Sequence, residues 1–383
     1  MQLVAYGAQD IYLTGNPQIT FFKVVYRRHT NFSMEAIAQT WNGSDKTAGR
    51  CTATISRNGD LVHRMYLELK GTSVTGKANN GVTGITTVEL EIGGQKIDKH
   101  SKLYMEVQAE LTEPNPSAAT GDCIEAQHTG TNFQNMSGMG GADSSSSTAL
   151  QVFTVPLMFW FCRNPGLALP LIALQYHEVK VILDHTLGDN GITTVTSNTL
   201  WCDYIYLDTD ERRRFAQVSH EYLIEQVQEQ SLSTVTGANE LNFNHPVKEL
   251  IWTRGDNAVD ECQPRPVSIA GGTYQLKLNG HERFAVRDYT YFTRVQVWEH
   301  HTGPGGMTAA DNGTAGGNLT DTIAVYSFAL KPEEHQPSGT CNFSRIDNAQ
   351  LVGSSATLAD TIFAVNYNVL RIMSGMGGLA YSN

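Results

Sequence analysis

The chain has 383 residues, enough for one large domain or two ordinary ones that each bury a core without disulfides or metals. Its net charge of −11 argues against a surface that neutralises phosphates, so direct binding to nucleic acid is not expected. Charged residues make up only 17%, which suits surfaces that pack against other protein surfaces and equally fits a loop-rich β protein.

Six cysteines are spread along the chain without a CxxC pair, so the sequence predicts neither a zinc finger nor a disulfide framework. The first residues lack a basic segment followed by an apolar one, and we expect no secretory signal. Residues 152–174 are almost wholly apolar, but Arg163 and three prolines interrupt them. Because prolines break helices, two buried strands joined by a turn are predicted there, and no membrane span.

The N-terminal segment is predicted to be an arm that leads into a first strand. A turn at residues 15–17 (Gly-Asn-Pro) precedes an apolar extended stretch and a small basic cluster that contains Lys23, Arg27 and Arg28. Solvated or salt-bridged side chains explain this cluster better than a lipid or nucleic-acid site. We assign residues 1–14 to the arm and begin the first domain at residue 15.

Alternation with a period of two dominates the rest of the chain, as expected for strands. The alternating segments are residues 88–92, 177–183, 275–278, 295–297 and 365–369. Gly93-Gly94 ends one of them, and Asn279-Gly280 is a strong hairpin signal because both residues tolerate positive φ. Short strands separated by turns predict an all-β protein built of sandwiches or barrels.

Helical patterns are rare. Residues 103–111 carry one apolar stripe behind Ser101, a suitable N-cap. A second short helix is predicted over residues 211–216, capped by Asp208 or Asp210. This helix follows a strand-like segment near the midpoint of the chain, and we place the domain boundary there.

The predicted organisation is therefore a first domain at 15–207 and a second at 208–383, the second starting with the short linker helix. Two long stretches without periodicity, 112–147 and 302–319, are rich in Gly, Ser, Thr and Asn and are predicted to be loops. One lies in each half, which hints at a duplicated architecture.

Candidate catalytic and metal-binding groups are weak. His300-His301 borders a Gly-rich stretch, but no carboxylate or third histidine follows at a spacing useful for a metal. The adjacent carboxylates Glu333-Glu334 are interpreted as exposed loop charge. No GxSxG motif occurs. The sequence thus predicts no enzyme, no metal and no cofactor.

Six Asn-x-Ser/Thr sequons occur in the chain. Three of them, at Asn135, Asn312 and Asn318, lie in the two predicted long loops, where an attached sugar would be displayed. These three asparagines are the candidate glycosylation sites, although a chain without a signal peptide is not expected to meet the host N-glycosylation machinery.

Four stretches, in order along nearly the whole chain, carry a family resemblance. They are YGAQDIYLTGNPQITFFK at 6–23, FWFCRNPGLALPLIALQYHEV at 159–179, LDTDERRRFA at 207–216 followed by HEYLI at 220–224, and PSGTCNFSRIDN at 337–348. Together they resemble the major capsid proteins of nucleocytoplasmic large DNA viruses.

This resemblance implies two tandem eight-stranded jelly-roll β-sandwiches with short helices and long loops. It also implies a homotrimeric, pseudo-hexagonal capsomer that tiles an icosahedral shell over an internal membrane, after assembly in the host cytoplasm. Minor capsid and penton proteins are the implied partners. The arm would face inward, and its expected contact residues are Tyr12, Phe21, Lys23, Arg27 and Arg28.

A glycan-binding module is the alternative, because jelly rolls also build lectins. Exposed aromatic residues and a calcium site in the loops would favour it. A glycan-active hydrolase on a double sandwich would need convergent carboxylates in a cleft, and no sequence feature supports one.

Overall fold

The computed structural model describes residues 7–73, 79–114, 131–141, 150–233, 237–255, 272–306, 321–354 and 359–381. Strands dominate it, which confirms the all-β class. The strands of the first half are β1 (Phe32–Gln39), β2 (Trp41–Gly43), β3 (Gly49–Thr54), β4 (Leu61–Ser73), β5 (Ile85–Ile92), β6 (Gln95–Ser101), β7 (Leu150–Leu157), β8 (Leu169–Pro170), β9 (Val179–His185) and β10 (Ile192–Leu207).

The second half begins with a helix and continues with strands. Its strands are β11 (His220–Ser231), β12 (Gly237–Glu240), β13 (Pro246–Thr253), β14 (Thr273–Leu278), β15 (His281–Glu282), β16 (Arg287–Asp288), β17 (Ile323–Ser327), β18 (Cys341–Asn342), β19 (Ala349–Gly353), β20 (Thr361–Met373) and β21 (Met376–Leu379). The helices of the chain are α1 (Ile11–Thr14), α2 (Asn80–Thr83), α3 (Lys102–Thr112), α4 (Asn132–Ser137), α5 (Trp160–Arg163), α6 (Thr209–Gln217) and α7 (Gln296–His300). A π-helical turn at Tyr291–Val295 precedes α7, and 3₁₀ turns occupy Pro165–Leu167 and Phe343–Arg345.

Each half forms its own pair of antiparallel sheets. In the first half the orders are β1-β10-β4-β7 and β2-β3-β9-β5-β6, and in the second they are β11-β20-β13-β17 and β12-β19-β14-β15. Eight main strands remain in each half when β2, β8, β16, β18 and β21 are left out. Numbered from one to eight along the chain, they have the sheet orders 1-8-3-6 and 2-7-4-5 in both halves. This shared order is the jelly-roll topology, and the two halves are two sandwiches of one design.

The turns and caps follow the local sequence chemistry. Gly93 (φ 59°) and Gly94 (φ 83°) join β5 to β6, and Asn279 (φ 51°) and Gly280 (φ 78°) join β14 to β15. Both pairs have the two positive φ angles that a tight hairpin turn requires. These turns confirm the two hairpin predictions.

The predicted helix starts are also confirmed. Ser101 caps α3 by accepting a hydrogen bond from the backbone N–H of Tyr104, and Asp208 caps α6 by accepting one from Thr209. A carboxylate or hydroxyl at this position satisfies a backbone donor that the first helical turn leaves without a partner.

Three local predictions differ from the structure. Residues 295–297 are helical, because the alternating valines fit one side of a helical turn as well as one face of a strand. Residues 152–174 form β7, then helical turns, then only the two-residue strand β8. The aperiodic stretch 112–147 contains α4.

The first strand begins later than residue 15. Residues 15–31 join no sheet, and the first backbone ladder starts at Phe32, opposite Leu207 of β10. The described part of the arm therefore runs from residue 7 to residue 31. The domain limits 15–207 and 208–383 remain predictions, and on the strand order the sheets of the first sandwich occupy residues 32–207.

Candidate assembly surfaces and the seam between the sandwiches

The arm exposes a run of apolar side chains that none of the described residues buries. Every residue from 11 to 31 is exposed, and Phe22 reaches 98%. The exposed apolar residues of the arm are Ile11, Tyr12, Leu13, Ile19, Phe21, Phe22, Val24, Val25 and Tyr26. An apolar run of this length on a folded chain marks a surface that another partner covers.

The five residues predicted as arm contacts lie along this run. Tyr12 and Phe21 are each 89% exposed, and the side chains of Lys23, Arg27 and Arg28 are exposed as well. The structure thus leaves all five available for a partner. Their assignment to the inner face of a shell stays a prediction.

Helix α3 forms the apolar centre of the seam between the sandwiches. One side of it, Met105 and Ala109, joins the core of the first sandwich. The other side, Tyr104, Val107 and Leu111, packs on the second sandwich, in one buried cluster with residues of β13, β17 and β20. Residues three or four positions apart lie on the same side of a helix, so this one helix packs on both cores.

Loop residues of the second half cap the end of α3. Gly303 donates its backbone N–H to the carbonyl of Leu111 (2.7 Å), and the Thr302 hydroxyl donates to the carbonyl of Thr112 (2.8 Å). These carbonyls have no acceptor role within the helix, so the second sandwich satisfies the end of a helix that belongs to the first.

A buried ion-pair group crosses the seam. Arg163, at the end of α5, donates to Oε2 of Glu225 in β11 at 2.7 Å. Lys248 in β13 places its Nζ 2.8 Å from the same oxygen and donates to the carbonyl of Pro332 at 2.6 Å. Glu225 and Lys248 are almost fully buried. The carboxylate therefore neutralises one cation from each sandwich.

His301 lies beside this group, between two carboxylates. Its Nδ1 is 3.1 Å from Oε1 of Glu333, and its Nε2 is 3.1 Å from Oε2 of Glu249. Both contacts are within ion-pair distance, so the buried imidazole lies between two carboxylates. Burial lowers the pKa of His301, but the two carboxylates outweigh burial and raise it to about 9.

Sequence reasoning missed this cluster. Glu249 and Glu333 are far from His301 along the chain, and only the pairing of β13 with its neighbours brings them together. Glu333 was interpreted as exposed loop charge, and it is instead a partner of a buried histidine. No local spacing rule could have found it.

Helix α3 carries two neighbouring carboxyl groups, Glu106 and Glu110. Glu106 is fully buried and accepts backbone hydrogen bonds from Gly140 (2.9 Å) and Gly141 (3.1 Å). Burial raises the pKa of Glu106 to about 7, against the opposing effect of hydrogen bonds that include one with Glu110. The carboxyl thus ties the turn after α4 to α3.

Both sandwiches contribute to a cavity of about 770 Å³ along the seam. Tyr66 and Pro156 of the first sandwich lie on one side, and Glu249 and His301 of the second on the other. Across the described residues, no group of three or more His, Cys, Asp and Glu side chains could hold a metal ion.

The linker helix α6 is held to the first sandwich by one carboxylate. Asp60, which is buried, accepts two hydrogen bonds from the guanidinium of Arg212 (2.9 and 3.1 Å). It also accepts one from the backbone N–H of Leu207 (2.9 Å). The bidentate geometry fixes the direction in which the chain leaves β10.

The candidate glycosylation sites have different positions. Asn135 lies in α4, half-buried, and its Nδ2 donates to the carbonyl of Thr131 at 3.0 Å. This sequon therefore lies on a short helix and not in an open loop. Asn312 and Asn318 lie outside the described residues.

Two sandwiches of the same strand order, joined through a common buried seam, define a double jelly-roll structural protein. Residues 20–222 match the family described as "Major capsid protein N-terminus", and residues 211–378 match "Large eukaryotic DNA virus major capsid protein". The chain belongs to the family of major capsid proteins of large eukaryotic DNA viruses.

Similar proteins support this along the full length. The major capsid protein of Pyramimonas orientalis virus is 52% identical over 408 residues, covering 100% of this chain and 99% of the relative. The major capsid protein of Paramecium bursaria Chlorella virus 1 is 41% identical over 463 residues, with coverage of 100% and 99%.

Solved structures agree with the sequence matches. The quasi-atomic model of the PBCV-1 virus capsid matches with a TM-score of 0.76 and 36% identity, covering 95% of this chain and 100% of that one. The Faustovirus major capsid protein has the same fold, with a TM-score of 0.68, 13% identity and coverage of 96% and 94%. The protein is a structural component of the virion capsid and not an enzyme, and the glycan-binding alternative is not favoured. No described helix is both long and apolar enough to cross a membrane.

Proposed function

We propose that three copies of the chain form a homotrimeric capsomer of pseudo-hexagonal outline, and that these capsomers tile an icosahedral shell. The observation that carries the proposal is the repeated strand order of the two sandwiches. Two similar lobes per chain give a trimer six similar lobes, which suits packing on a hexagonal lattice. A threefold ring closes on itself and does not grow into fibres.

The arm is proposed to face the interior of the shell. Its exposed apolar and basic side chains would contact minor capsid proteins, penton proteins or the internal viral membrane, without direct contact to nucleic acid. Assembly is proposed to take place in the host cytoplasm. If sugars are attached, Asn312 and Asn318 are the preferred candidates among the three, because Asn135 is half-buried on a short helix.

Size-exclusion chromatography with light scattering tests the trimer. We expect a mass about three times the 42.0 kDa of the chain, and negative-stain images with a hexagonal outline. A species that remains monomeric at all concentrations would overturn the proposal. Intact-mass spectrometry of the protein from virions tests the sugars, and a mass equal to that of the bare chain would remove them from the proposal.

A further inference from the structure

The contact between α3 and the second sandwich is that of a helix packed on the outer face of a sheet. Helix α3 lies between the fifth and sixth main strands of its own sandwich, β6 and β7. It covers the outer face of the neighbouring sheet, where Phe363, Ile251 and Val325 are cross-strand partners on β20, β13 and β17. All three residues are buried. The helix of one sandwich therefore covers the sheet of the next.

The second sandwich has a helical segment at the equivalent place. The π-helical turn and α7 lie between β16 and β17, again between the fifth and sixth main strands. Phe292 is buried in the core of the second sandwich, and Val297 is buried in the seam cluster that contains α3. On the outer side Val295 is 39% exposed and Trp298 is 82% exposed, three residues apart. Tyr104 and Val107, through which α3 packs on the sheet of the second sandwich, are also three residues apart.

The first sandwich has a partly exposed sheet face at the equivalent place. Ala38, Trp201, Tyr66 and Pro156 form one register row across β1, β10, β4 and β7. None of the four is fully buried, whereas their neighbours along the strands point into the core. Pro156 fits in this row because β7 is the edge strand of its sheet. Tyr66 and Pro156 of this row also line the seam cavity.

We infer that Val295 and Trp298 of one copy pack on the row Ala38–Trp201–Tyr66–Pro156 of the next copy. This inference rests on the proposed trimer and assigns its interface. The occupant is a second copy because the chain already makes the equivalent contact once, between its own sandwiches. Three contacts within chains then alternate with three contacts between chains around one closed ring. Trp298 is the expected anchor, since a buried aromatic at the centre of an interface carries much of its binding energy.

Charge substitutions on the two sides of this contact test it. We expect Trp298→Glu and Ala38→Glu each to raise the dissociation constant of the trimer about 30-fold or more, the effect of losing an interface hot spot. Both sites are exposed in the single chain, so far-UV circular dichroism of the dissociated variants should match the wild type. Tyr176→Glu is the matched control, because Tyr176 is an exposed aromatic (75%) on a loop outside both surfaces, and this variant should remain trimeric.

Oxidative footprinting of the wild-type trimer gives a reading that needs no variant. Trp298 should be protected relative to Tyr176. A trimer in which Trp298 oxidises as fast as Tyr176, or which survives both charge substitutions, would overturn the inference and leave the trimer intact. A wild-type chain that never forms trimers would overturn the proposed function itself.

Discussion

Arg163 of the first sandwich donates a 2.7 Å hydrogen bond to Glu225 of the second, and this pair is the central charged contact of the seam. Lys248 shares the same carboxylate oxygen at 2.8 Å, while its ammonium lies 5.7 Å from the centre of the Tyr367 ring. A buried cation without its counter-ion is costly, so the three charges stabilise the fold only as a group. The relative placement of the sandwiches depends on this group as well as on the apolar contacts of α3.

Glu225→Ala should therefore destabilise the protein strongly. We expect a loss of about 3–5 kcal/mol in the free energy of unfolding, because buried Lys248 would lose the carboxylate that it contacts directly. Glu221→Ala is the control on the same strand. Glu221 pairs with Arg371 at 2.8 Å, but both side chains are more than half exposed, so a loss below about 1 kcal/mol is expected. Urea denaturation measures both, and equal losses would contradict the prediction.

His301 should make the protein less stable at alkaline pH. Its folded pKa of about 9 exceeds the ordinary 6.5, so its contribution is complete below pH 6.5 and is lost as the pH rises through 9. The loss should be on the order of 3 kcal/mol. Thermal unfolding between pH 6 and 9.5 should show this slope in the wild type and a flatter one in His301→Gln. His281→Gln, at an exposed position on β15, is the control. A wild-type slope retained in His301→Gln would refute the assignment.

The parts of this structure that follow local rules could be predicted from the sequence. The hairpin at Asn279-Gly280, the cap at Ser101 and the cap at Asp208 depend on residues within a few positions of each other. The buried group around Glu225 and His301 depends on strand pairing between distant residues. A periodic sequence pattern does not predict such contacts. It indicates which side of a strand or helix a residue occupies, but not which distant residue it contacts.

The same limit explains why residues 295–297 differ from the strand prediction. Val295 and Val297 fit a strand by alternation, yet their backbone is helical, since two apolar residues are too few to distinguish the two periods. The first domain is predicted to begin at residue 15, a limit that stays a prediction, and the first ladder starts at Phe32. The apolar stretch between them has the composition of a strand but no partner strand among the described residues.

Ionisation of Glu106 should lower the free energy of unfolding as the pH rises, over a lower pH range than the titration of His301. Its folded pKa of about 7 lies above the ordinary 4.5, so the folded state holds the proton more tightly than the unfolded chain. Stability should then fall as the pH rises from 4.5 to 7, by on the order of 3 kcal/mol. Glu106→Gln keeps an oxygen for the N–H groups of Gly140 and Gly141 and cannot ionise.

Glu106→Gln should therefore lose the slope between pH 4.5 and 7 and exceed the wild type in stability at pH 7.5. Glu282→Gln, at an exposed position on β15, should keep the wild-type slope. Denaturant unfolding at a series of pH values checks this. A Glu106→Gln variant that still follows the wild-type curve in this range would show that Glu106 is ionised throughout.

Removing the arm should affect assembly and leave folding unchanged. No side chain between residues 11 and 31 is buried, so deletion of residues 1–14 or of 1–31 should leave the unfolding free energy within about 0.5 kcal/mol and the trimer intact. Shell formation, followed by electron microscopy of virions or of reassembled particles, should be impaired in both. Full-length chains with Tyr12→Ser and Phe21→Ser, or with Lys23→Ala, Arg27→Ala and Arg28→Ala, separate the apolar from the basic contribution. A deletion that lowers the unfolding free energy by several kcal/mol would show that the arm belongs to the core.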